Sequence, residues 1–159
     1  MKYIGFIVSS ALLAAPSVVF AHDPAAPVEI VLSTPEAALT AYRDAIENLD
    51  ASGMSELFTP ASRIFENGKA EGSFANYLGH HLGPELSEFV SFDFDDLETE
   101  VKILDDIAVA SETYHYTIKL NDGRVIERQG VATSTLVQQN GGWKIMQYHS
   151  SSRTPRKAK

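Results

Sequence analysis

From Phe89 to Ser152, apolar and polar residues alternate in four long stretches: FVSFDFDDLETEVKIL, IAVASETYHYTIKL, RVIERQGVATSTLVQ and WKIMQYHSSS. A repeat of two is the signature of a strand with one covered face. Asp105-Asp106, Asn121-Asp122-Gly123 and Asn140-Gly141-Gly142 separate the stretches and supply the residue types that hairpin turns require. The pattern predicts an antiparallel meander of four strands, with Gly130 in the third as a bend or bulge.

Ahead of Phe89 the spacing changes to three and four. Leu39, Tyr42, Ile46 and Leu49 form one face of a helix that Thr34 can cap, with Pro35 in its first position and a break at Asp50-Ala51-Ser52-Gly53. Met54, Leu57 and Phe58 predict a short second helix stopped by Thr59-Pro60. Arg63 to Glu66 reads as a short strand before an Asn67-Gly68 turn. A third helix, SFANYLGHHLGPEL, starts at Ser73 and is limited by Gly83-Pro84. Helices followed by a meander predict an α+β layer structure in which the helices cover one sheet face. Long strands bend, so the expected shape is a cone with an open mouth.

Composition changes the picture at the ends. Lys2 precedes an apolar run closing at Val19-Phe20-Ala21, which predicts a secretory signal over residues 1–21, cleaved after Ala21. Residues 22–33 read as a linker, 34–152 as one domain and the basic residues 153–159 as a disordered tail. The expected location is periplasmic or secreted, with no membrane association after cleavage. A formal charge of −8 argues against nucleic acid, because phosphate neutralisation needs clustered Lys and Arg. With no cysteine, disulfides, thiolate catalysis and thiolate-bound metal are excluded.

The helix-break-helix ENLDASGMSELF, the strand and turn IFENGKAEGS, the hairpin VKILDDIAVASETYHYTIKLNDGRV and the final GGWKIMQYHSSS together resemble the nuclear transport factor 2-like superfamily, in particular its SnoaL-like polyketide cyclase group. The resemblance spans about Pro35 to Ser152. It implies a cone-shaped, curved antiparallel sheet wrapped around three N-terminal helices, in the cystatin-like manner, with a pocket inside. It also implies a homodimer through the outer sheet face. Members include isomerases, cyclases, dehydratases and oligomerisation modules, so the resemblance does not select one activity. Where relatives often carry a histidine, this chain has Gln147; where they often carry an arginine, it has Val131.

Alternation places Trp143, Ile145, Gln147, His149 and Ser151 on one face of the last strand, predicted to point into the cone. On the third helix Tyr77 and His81 share the apolar face, with His80 at its edge. The expected ligand-binding set is therefore Tyr77, His80, His81, Trp143, Gln147 and His149. His81 and His149 are the candidate acid–base catalysts, since imidazole exchanges a proton near neutral pH. A core role for both histidines, hydrogen-bonded to tyrosine or serine, is the competing reading. Glu66, Glu112, Tyr114 and Tyr116 are further candidates, with the inward face of the strand bearing Tyr114 and His115 left open.

No cofactor is expected. The spacing contains no HxH or HExxH, and adjacent histidines on a helix do not readily chelate one ion, so a metal centre would need His81 or His80 to meet His149. His22, first in the cleaved chain, is the remaining metal candidate. The functional expectation is an exported domain that binds a small polar or carbonyl-containing molecule in its cone. A histidine acid–base enzyme of isomerase or cyclase type and a dimerising module without chemistry are the alternatives.

Overall fold

A computed structural model describes residues 32–156. The expected signal peptide, His22, residues 22–31 of the linker and the last three residues of the tail lie outside the described residues. Helix α1 (Pro35–Glu47) begins as its sequence dictates: Thr34 Oγ1 accepts the Ala37 N–H at 3.1 Å, and Ala38, Leu39, Tyr42 and Ile46 form the buried face. The expected second helix is only a 3₁₀ turn, Met54–Leu57. Phe58, expected in that helix, instead opens strand β1 (Phe58–Glu66), and Thr59-Pro60 continue it. Strand β2 (Lys69–Gly72) folds back through the Asn67-Gly68 turn.

Helix α2 covers residues 74–88. It is α-helical at Phe74–Tyr77, widens to a π turn at Leu78–Leu82 and resumes at Gly83–Glu88. Gly83 and Pro84 therefore do not end the helix. The Gly83 N–H donates to the Leu78 carbonyl five residues back, and a Cβ at Gly83 would stand 2.5 Å from that oxygen. A widened turn accommodates what an α-turn does not. The described residues thus contain two helices and one 3₁₀ turn where three helices were expected.

Strands β3 (Phe89–Leu104), β4 (Ile107–Leu120), β5 (Val125–Gln139) and β6 (Gly142–Arg153) form the predicted meander. Arg153, expected in the tail, ends β6 and pairs with Gln129. The curved six-stranded sheet runs β2-β1-β6-β5-β4-β3. It is mixed rather than antiparallel, because β1 lies parallel to β6. The Leu32 carbonyl accepts the Trp143 N–H at 2.9 Å.

The core lies between the helices and the inner sheet face. Phe58 stacks on Phe74 with centroids 3.7 Å apart, and Tyr42 meets Phe58, Phe74 and Tyr148 edge-on. Such aromatic pairs contribute about 1 kcal/mol each beyond their burial. Gly130 is not at a register shift, so it is not the expected bulge; it lies inside a regular β4–β5 ladder opposite Tyr114. Register shifts occur in β1 between Phe58 and Arg63 and between Ile64 and Phe65, in β3 between Phe89 and Ser91 and between Asp95 and Glu98, and at Met146 in β6.

Candidate functional site

The irregularity in β6 decides what faces the cavity. Gln147 pairs with Thr135 and Ile145 with Leu136, which leaves Met146 as an extra residue. One inserted residue reverses the alternation beyond it. Trp143 and Ile145 point inward as expected, but the next buried side chain is Tyr148, while Gln147 and His149 are exposed. His149 faces outward beside Phe65, ring centroids 6.4 Å apart. The expected inner row of Gln147 and His149 is replaced by Tyr148, Ser150 and Ser152.

Strand β4 has no such interruption. Ala108, Ala110, Glu112, Tyr114 and Ile118 are buried in strict alternation, so Tyr114 and Tyr116 face inward. His115 is on the outer side, 3.2 Å from Asp96 Oδ2.

A cavity of about 100 Å³ lies between α1, α2 and this inner face. Phe89, Phe92, Phe94 and Tyr114 make an aromatic wall; Tyr148, Tyr116, Ser150 and Ser152 bring hydroxyls; Glu66, Tyr77 and Glu85 belong to the opposite side. Of the predicted binding residues, Tyr77 lines the cavity. Trp143 is in the core, and His80 and His81 lie on the far side of Glu66 and Glu85.

The polar groups inside are organised in pairs. The Tyr77 hydroxyl donates to Glu66 Oε2 at 2.8 Å, and that of Tyr116 donates to Ser152 Oγ at 2.9 Å. Burial pushes the Tyr114 phenol up to about 12 and raises those of Tyr42, Tyr77, Tyr116 and Tyr148. These groups are neutral hydrogen-bond donors and acceptors at ordinary pH. Burial also raises the Glu85 carboxyl.

His81 extends this network outward. Its Nε2 stands 3.2 Å from Glu85 Oε1 and 3.7 Å from Glu66 Oε2, and its ring meets Tyr77 edge-on. Its Nδ1 is 3.4 Å from Glu71 Oε1, while His80 Nε2 is 2.6 Å from Glu71 Oε2. Hydrogen bonds from Lys69 and then His80 hold the Glu71 carboxyl down at about 2. His80 and His81 therefore meet at Glu71, and neither meets His149. Glu112 is buried and paired with Arg43, away from the cavity lining, and the desolvation that raises its carboxyl is opposed by that guanidinium.

The sequence from 36 to 155 matches the family model described as the SnoaL-like domain. This chain belongs to the SnoaL-like domain family. No curated protein shows significant sequence similarity to it. Among solved structures, this SnoaL-like domain is similar to a candidate dehydratase of the nuclear transport factor 2-like family from Streptomyces avermitilis, at 20% identity and a TM-score of 0.64 over 74% of this chain and 93% of that one. It is also similar to a candidate ketosteroid isomerase from Shewanella frigidimarina, at 23% identity and 0.62 over 72% and 91%. A nuclear transport factor 2-like superfamily protein from Salmonella enterica aligns at 19% identity and 0.63 over 77% and 89%. At these identities the likeness establishes the fold.

Sequence reasoning missed Glu71, Glu85, Tyr148 and the paired serines as site residues. Tyr148 carried a signal, as the single large aromatic between Ile145 and the serines. Glu71, one polar residue in KAEG, carried none.

Proposed function

We propose that this SnoaL-like domain binds a small single-ring molecule bearing a hydroxyl or carbonyl group in its cavity. The observation that carries the reading is the arrangement of its walls: aromatic rings on one side, and neutral phenol and serine hydroxyls at Tyr116, Tyr148, Ser150 and Ser152 beside them. At about 100 Å³ and open at its mouth, the cavity is smaller than the roughly 150 Å³ that encloses a benzene ring, so it takes a shorter chain whole or a ring with part of it in the mouth. Apolar walls with a few convergent polar groups are the usual composition of such sites.

Acid–base catalysis is the second reading, favoured by Glu66 and Glu85 on one side of the cavity with the His81 ring between them and Glu71. The candidate dehydratase and candidate ketosteroid isomerase of the same fold are consistent with it. Export rests on the N-terminal sequence alone. Dimerisation through the outer sheet face has the support of the exposed Val109, Val131 and Met146 there. Among the described residues, no helix is long and apolar enough to cross a membrane.

Thermal-shift titration with single-ring phenols and ketones tests the binding reading. Stabilisation by ring compounds that weakens in Tyr116→Phe supports it; equal response in that variant and in Glu66→Gln and Tyr148→Phe counts against it.

A further inference from the structure

The cluster around Glu71 takes no part in lining the cavity. Glu71 comes from the short strand β2, and its side chain is 1% exposed. His80 Nε2 and His81 Nδ1 converge on its two oxygens from the π turn of α2, and one donor atom of each residue lies within 4.8 Å of the others. Oε1 is buried and accepts no well-aligned hydrogen bond; the Lys69 ammonium at 3.0 Å and His81 Nδ1 at 3.4 Å are the groups beside it. A buried carboxylate oxygen compensated only by the ammonium of an exposed lysine is incompletely satisfied.

The remaining ring nitrogens show what the cluster is built to hold. His80 Nδ1 is hydrogen-bonded to the Asn76 carbonyl, an acceptor only, so Nδ1 carries the hydrogen. When the ring is charged, Nε2–H donates to Glu71 Oε2 across the 2.6 Å contact; when it is neutral, that tautomer leaves the Nε2 lone pair facing Glu71. His81 repeats the pattern: Nε2 faces the carboxylates of Glu85 and Glu66, and Nδ1 faces Glu71. With both rings neutral, two lone pairs face the carboxylate, and a cation bound between them offsets their repulsion, as the Lys69 ammonium does in part. Histidines that bind metal characteristically donate their other N–H to a carbonyl or carboxylate in this way. Asn76 Nδ2 also donates to the Glu71 backbone carbonyl at 2.8 Å, tying α2 to the strand that carries the carboxylate.

We propose that Glu71, His80 and His81 form a binding site for a divalent transition-metal ion of zinc type. Two imidazoles and one carboxylate suit zinc and its neighbours, whereas magnesium and calcium prefer oxygen throughout. Donors around a tetrahedral zinc ion stand about 3.3 Å apart. The His81–Glu71 spacing of 3.4 Å fits as it is, and the partly exposed His80 ring must withdraw by less than 1 Å from its 2.6 Å contact. Lys69 Nζ, 3.0 Å from Glu71 Oε1, is the competing cation; its side chain is 66% exposed and can swing into solvent. Three protein donors leave one position for water or an added ligand.

Untagged protein stripped with EDTA is titrated calorimetrically with Zn²⁺, and with Co²⁺ while its visible spectrum is followed. One equivalent per chain is expected. Binding weakens more than about tenfold in His80→Ala and in His81→Ala, tightens in Lys69→Ala, and is unchanged in His22→Ala and His149→Ala. Because Glu71 is buried, the partly exposed His80 carries the test, with far-UV circular dichroism confirming that each variant is folded. Absence of stoichiometric binding overturns the proposal, as does binding that survives the His80→Ala/His81→Ala double variant or disappears in His22→Ala. None of these readouts depends on a ligand in the cavity, so the proposal and the cavity reading fail separately.

Discussion

Tyr114 lies so close to Gly130 on the neighbouring strand that a Cβ at Gly130 would stand 2.3 Å from its ring Cε2. The glycine exists to admit this ring, which the regular β4–β5 ladder carries across to the cavity wall. Gly130→Ala therefore displaces the tyrosine. The expected loss is about 1–3 kcal/mol, the usual range for overpacking, read as a lower denaturant midpoint. An unchanged midpoint would mean that the ring moves aside freely.

Arg43 on α1 and Glu112 on β4 form an ion pair whose side chains are 12% and 3% exposed. Removing one member strands the other. Arg43→Ala is expected to cost about 3–5 kcal/mol, and Glu112→Gln made on that background should recover part of it. Equal losses in the single and double variants would show that the stranded carboxylate is not the cause.

The Met146 bulge separates two neighbours that sequence alternation assigns the other way round. Tyr148→Ala removes a buried ring and should destabilise by about 3–5 kcal/mol. His149→Ala should stay within about 0.5 kcal/mol and leave cavity binding unaltered. Chemical denaturation of the two variants checks both, and a large effect at His149 would place it inside after all.

Alkaline stability follows from the tyrosines. The folded-state value of Tyr114 is raised to about 12 by burial, so between the unfolded value near 10 and about 12 the unfolded chain binds fewer protons than the native one. Its contribution is complete below about pH 10 and declines as pH rises toward 12. Tyrosinate absorbance at 295 nm should rise together with unfolding in that window. A smooth titration of every tyrosine near pH 10 without unfolding would contradict it.

Much of the fold was legible because local chemistry and global pattern agree. Thr34-Pro35 starts α1, Asn140-Gly141 adopts the positive φ of a hairpin turn, and strict alternation marks β4 as a strand, although which of its faces is inner came only from the structure. The site was less legible because it depends on two irregularities. Met146 looks like any other residue in WKIMQYH, yet its extra place turns Gln147 and His149 outward. Gly83-Pro84 reads as a helix stop, but the π turn absorbs the proline and carries the helix on. Its effect is to bring adjacent histidines to one carboxylate, which ideal helical geometry disfavours. The parallel pairing of β1 with β6 left no mark either, since a short strand shows the same alternation in both directions.

The most direct measurement of the central claim is ligand-observed NMR with 4-hydroxybenzaldehyde, a single ring bearing both a hydroxyl and a carbonyl. It would be run on the wild-type domain and on Ser150→Phe, which fills the cavity from β6. Saturation transfer to the probe in the wild type and its loss in a folded Ser150→Phe variant is the predicted result. Transfer of equal strength in both, or none in the wild type, would contradict a binding site between the aromatic wall and the serines.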